Sequence, residues 1–132
     1  MSTTPVRSYE GEVTAWKING KLPQESVAEL RELINSGDIT PEKYNVAVID
    51  YEMQNDLLRE NTNMNYYSLK IGSFKGAPWI FISHVHAGYD GPSPNGTLVC
   101  LKLLGFNLTP NEESLVLTCP NGEKRIRLSF YK

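Results

Sequence analysis

Residues 115–128 read LVLTCPNGEKRIRL: two runs of alternating apolar and polar residues on either side of Asn121-Gly122. Asn-Gly between alternating runs is the strongest short-range hairpin signal, because both residues tolerate the positive φ angles of a type I′ turn. A two-residue loop there pairs Leu117 with Ile126 and Leu115 with Leu128 on one apolar face. The chain is therefore expected to be rich in antiparallel β-structure.

Working outward, the same alternation recurs. Tyr9 to Ala15 has period two, and a bulge near Ala15 would let Trp16 and Ile18 change faces before Asn19-Gly20. Tyr44 to Tyr51 reads as a strand apolar on both sides, Tyr67, Leu69 and Ile71 as a one-sided strand, and Trp79 to His86 and Leu98 to Leu104 as two-sided central strands. One helix stands out near residues 23–36: Pro23 suits its first turn, Val27, Leu30, Leu33 and Ile34 form an apolar stripe, and Gly37 ends it. The stretch from Met53 to Asn63 is polar and reads as a short helix or long loop. The expected class is α+β and mostly antiparallel: about seven strands in a sandwich or strongly bent sheet, with one surface helix, in a single domain spanning 1–132.

With 132 residues and 40% hydrophobic content, the composition is that of a folded domain. A net charge of −2 argues against phosphate-backbone binding as the main activity, so no DNA partner is expected. No apolar run approaches the roughly 18 residues of a membrane span, and no secretory leader is evident, so a cytoplasmic location is expected. Cys100 and Cys119 read as free buried thiols rather than a disulfide. The sequon Asn95-Gly96-Thr97 reads as loop sequence.

Chemistry could reside in three places. His84 and His86, two apart on a strand, would share a face and could be two ligands of a zinc site completed by a carboxylate such as Asp90, Asp50 or Glu52; the simpler expectation is that they end a buried strand, with no bound metal or other cofactor. The segment Ala87 to Thr97 reads as a rigid exposed loop, with Tyr89 and Asp90 as contact residues at its tip. Asp50, Glu52, Asp56 and Glu60, near Tyr51, Tyr66 and Tyr67, form an acidic surface that a basic partner could read. The Gly72 to Gly76 loop lacks a phosphate-loop signature, and neither cysteine neighbours a histidine, so no catalytic centre emerges.

The sequence thus points to a small intracellular non-catalytic binding protein of the inhibitor, immunity or phage and viral accessory kind. It would recognise a protein or polar ligand through residues 87–97 and the acidic surface, with Tyr89, Asp90, His86, His84, Asp50 and Glu52 as the binding residues. The alternatives are a metal-binding domain or small metal-dependent enzyme using His84 and His86, and a self-assembling β protein, with a homodimer conceivable.

Overall fold

The computed structural model describes residues 3–52, 67–118 and 125–132. Among these, six strands form one sheet: β1 (Thr3–Arg7), β2 (Val13–Ile18), β3 (Val46–Glu52), β4 (Tyr67–Gly72), β5 (Trp79–Ser83) and β6 (Arg125–Tyr131), in the spatial order β1-β2-β5-β4-β3-β6. All neighbours are antiparallel except β2 and β5, so the sheet is mixed. Because β5 runs with β2, and β3 is two antiparallel steps from β5, the strands β2, β3 and β5 all finish at the same end of the sheet.

Three α-helices accompany the sheet among the described residues: α1 (Pro23–Asn35), α2 (Pro92–Leu103) and α3 (Pro110–Leu117), with a short 3-10 turn at Pro41–Lys43. α1 follows the sequence reading: it begins at Pro23, buries Leu30 and Leu33, and gives way to Gly37, whose φ of 87° favours glycine. The core is one cluster in which Ile18, Ala47, Ile49, Leu69, Ile71, Ile80 and Ile82 of the sheet meet Leu30, Leu33, Cys100, Leu101 and Val116 of the helices. The architecture is a two-layer α+β fold, not a sandwich.

Three readings are corrected. Leu98 to Leu104 is not a strand; residues 92–103 form α2, entered through Pro92 and continued through Gly96. A Cβ at Gly96 would lie 3.3 Å from Pro23 Cβ and 3.4 Å from Val85 Cγ1, so this glycine serves close packing rather than a turn. Leu115 to Leu117 is also helical. Thr109 caps α3 in a reciprocal box with Glu112, Thr109 Oγ1 accepting from Glu112 N at 3.2 Å while Glu112 Oε1 accepts from Thr109 N at 2.9 Å. The pairing of Leu115 and Leu117 with Leu128 and Ile126 consequently fails: Leu115 is exposed, and β6 pairs with β3, Ile126 opposite Tyr51 and Leu128 opposite Ile49. Asn121-Gly122 and Cys119 lie outside the described residues, as does the polar stretch 53–63.

At the amino end, Tyr9 is fully exposed in the turn between β1 and β2, not in a strand. The β1–β2 register slips beside Ala15, where a bulge was expected.

Candidate functional site

The residues singled out in the sequence gather at the end of the sheet where β2, β3 and β5 finish and where α1 and α2 begin. Strand β5 stops at Ser83, three residues sooner than its apolar pattern suggests. His84 then adopts φ 60°, a left-handed conformation that turns the chain out of the strand. The two histidines therefore do not share a strand face. His84 is exposed and His86 is buried, with ring centroids 6.2 Å apart and planes tilted by 53°.

His86 is built into the molecule. Its ring stacks on Tyr51 with centroids 4.1 Å apart and an interplanar angle of 26°. Its Nδ1 lies 2.9 Å from Ser68 Oγ, and Ser68 Oγ donates to Val85 O at 2.7 Å. A hydroxyl has one hydrogen to give, and Ser68 gives it to Val85 O, so Ser68 accepts from Nδ1–H. In a nucleophile–base pair the hydroxyl would instead donate to the imidazole. Ser68 is also fully buried, out of reach of a substrate.

Ser68 reaches this position because β4 carries a bulge. The register slips between Tyr67 and Leu69, and Tyr67, expected beside Leu69 and Ile71, lies instead on the other face, edge-on to Phe81 at 6.1 Å. The inserted residue, Ser68, turns inward.

The backbone after His84 is clamped from α2. Ser93 Oγ donates to His84 O at 2.7 Å and accepts from His86 N at 2.9 Å; Thr97 Oγ1 donates to His86 O at 2.6 Å. Ser93 and Thr97, four apart, occupy one helix face. Gly88 N donates to Val116 O at 2.8 Å, tying the connection to α3 as well. The expected loop 87–97 is thus short: it ends at Gly91, and residues 92–97 belong to α2. Ser68, Ser93 and Thr97 were missed by sequence reasoning. Their Ser/Thr spacing was visible, but nothing in it named the backbone groups they would satisfy.

What projects is Tyr89 and Asp90. Tyr89 is 39% exposed, and its ring lies so close over Gly91 that a Cβ there would meet Tyr89 Cε2 at 2.9 Å. Asp90 Oδ1 accepts from Asn95 Nδ2 at 3.0 Å. The knuckle is thereby fixed by α2 beneath it.

The acidic surface divides. Asp50 alternates with Tyr51 and stands on the side of the sheet away from the helices, where Arg127 Nε lies 3.5 Å from its carboxylate. Tyr51 faces inward to His86, and Glu52 closes β3 opposite Arg125 in the register. Asp56, Glu60 and Tyr66 lie outside the described residues. Among the described residues no group of three or more His, Cys, Asp or Glu side chains is placed to hold a metal ion, and no helix is long and apolar enough to cross a membrane. Cys100 is a free buried thiol within α2, its pKa pushed up to about 12 by burial.

Comparison of the chain with protein-family models, with curated proteins and with solved structures finds no match.

Proposed function

We propose that this chain is a non-catalytic binding protein, acting in the cytoplasm, that recognises a protein partner through the Tyr89–Asp90 knuckle. One observation carries the reading: His84 O, Val85 O, the His86 backbone and Nδ1, and Gly88 N are held by internal bonds to Ser93, Ser68, Thr97 and Val116, while Tyr89 and Asp90 project beyond that framework. A site built for chemistry needs a group able to exchange a proton with a substrate. Ser68 and the Nδ1 side of His86 are committed to each other and to Val85 O. An exposed tyrosine on a rigid base suits recognition instead, because few rotors are frozen when a partner covers it.

The test is affinity capture from the native source with immobilised wild-type chain and with a Tyr89→Ala, Asp90→Ala double variant. The reading expects a protein retained by the first and lost from the second, with both baits giving the same circular dichroism. Equal retention by both baits would remove the knuckle from recognition. The metal alternative is tested separately by calorimetric titration with zinc. Weak binding indifferent to His84→Ala is expected, and tight stoichiometric binding lost in that variant would restore it.

A further inference from the structure

The face of the sheet turned away from the helices carries two cross-strand rows that nothing above explains. From β1 to β6 the first runs Thr4, Lys17, Phe81, Lys70, Val48, Ser129, and the second runs Val6, Ala15, Trp79, then Val46 and Tyr131, with Gly72 completing it beside Trp79. Phe81 thus sits between two lysines, each its direct cross-strand neighbour. Trp79 sits between two of the smallest residues, and a Cβ at Gly72 would overlap its indole, so the ring lies across the β4 backbone. Trp79 is 40% exposed and Tyr131 67%, and no described helix packs on this face. Lys17 Nζ lies 5.8 Å from the centre of the Tyr67 ring, which the β4 bulge delivers to this side.

We propose that this face is a docking platform for single-stranded nucleic acid, Trp79 and Phe81 stacking on bases while Lys17 and Lys70 meet the phosphates. The inference is independent of the Tyr89 knuckle and concerns a different surface. Aromatic rings on an uncovered sheet face, Trp79 exposed and Phe81 half-buried, with cations beside them, match a ligand that alternates planar rings with negative charge. The two rings are two residues apart on β5, about 7 Å along the strand, enough for a separate base on each. The carboxylate of Asp50 on nearby β3 is engaged by Arg127, so among the described side chains of this face the lysines leave a positive balance although the chain as a whole carries −2. A second copy of the chain suits the face less well. A two-fold contact would set the lysine-bearing row against itself, bringing like charges together. Duplex DNA suits it less as well, since pairing hides the ring faces that stacking needs.

The experiment is fluorescence anisotropy with fluorescein-labelled oligouridine RNA and oligothymidine DNA of about 12 nucleotides, within the span such platforms take, and with a hairpin duplex. At least one single strand is expected to bind, the duplex about tenfold more weakly or worse; a preference for the RNA or for the DNA tells which source the platform reads, and either supports it. Phe81→Ala should weaken binding roughly 5- to 150-fold, the range for losing one stacked base. Lys17→Gln and Lys70→Gln, which leave the aromatic surface intact, should each flatten the slope of log K against log salt by about 0.7. No binding of either single strand at low salt, equal binding of the duplex, or unchanged slopes in both lysine variants would overturn the proposal. So would a dimer in light scattering that Phe81→Ala dissociates, since the face would then belong to a second copy, and so would equal affinity for polyaspartate.

Discussion

The two sides of the sheet treat their polar and aromatic residues in opposite ways. Toward the helices, His86, Ser68, Ser93 and Thr97 are buried and each makes internal hydrogen bonds, while Tyr51 stacks on the imidazole. On the far side Trp79 and Tyr131 stand exposed, with Lys17 and Lys70 half-buried beside Phe81. A polar group buried without a partner costs about 1–3 kcal/mol, and the covered side meets its polar side chains from within, except that among the described residues Trp16 Nε1 is buried there with no partner. No such cost shapes the open side. Residues there are constrained by solvent and by whatever else touches them, which makes the covered side the place to read stability and the open side the place to read recognition.

The comparison breaks first at His86. His86→Ala removes a stacked ring and leaves Ser68 without the donor it accepts from, and is expected to cost about 2–5 kcal/mol, seen as a fall in the urea midpoint with an unchanged slope. A loss below about 0.5 kcal/mol would make the cluster decorative and undo the contrast.

Alkaline pH probes the same side. Burial pushes Cys100 from its ordinary 9.0, and Tyr44 from its ordinary 10.0, up to about 12 in each case, and the Tyr44 hydroxyl donates to Pro78 O. Below pH 9 both groups are protonated whether the chain is folded or unfolded, so their contribution is complete. Between pH 9 and 12 the unfolded chain sheds protons that the folded one keeps, and stability falls as pH rises. The urea midpoint should therefore be lower near pH ~10.5 than near pH ~8, and Cys100→Ala, less stable at the lower pH, should show the flatter dependence. Parallel curves for the two proteins would mean the thiol does not report burial.

A smaller effect is expected from Ser68→Ala. The variant removes both the hydroxyl that donates to Val85 O and the acceptor for His86 Nδ1–H, so a loss of about 1–3 kcal/mol is expected in thermal or urea unfolding. A loss as large as that of His86→Ala would show that the hydrogen bond, rather than the stacked ring, dominates the cluster.

How much of this was legible in the sequence depended on whether a local signal named its own partner. Helix α1 was legible because Pro23, the Val27–Leu30–Leu33–Ile34 stripe and Gly37 are self-contained signals. Helix α2 was not. Residues 98–104 are apolar nearly all round, which leaves no period to read, and Pro94 and Gly96 looked like breakers; one falls in the first turn and the other faces Pro23 and Val85, a contact no local pattern encodes. α3 could have been found: Thr109 followed three residues later by Glu112 is a capping-box signature, overshadowed by the alternation of residues 115–119. For the candidate site, exposure of Tyr89 and Asp90 was legible from flanking glycines, whereas burial of His86 against Tyr51 required the β4 bulge, whose inserted Ser68 looks like any alternating strand residue.

The smallest expected effect lies on the open side, and it carries the contrast furthest. Lys17 and Lys70 flank Phe81 without an ion pair to a described carboxylate, Lys17 lying instead over the edge of the open face beside Tyr67. Glutamine keeps most of the aliphatic stem and removes only the charge, so neither the packing nor a buried hydrogen bond changes. Lys17→Gln and Lys70→Gln should each leave stability within about 0.5 kcal/mol of the parent, the usual range for surface substitutions away from special features. If stability rises, the two lysines repel one another across Phe81, and the face holds that strain for the sake of an anionic occupant. If it falls by more than about 1 kcal/mol, the charges hold the fold through partners of their own, and the open side would have to be read for stability as the covered side is.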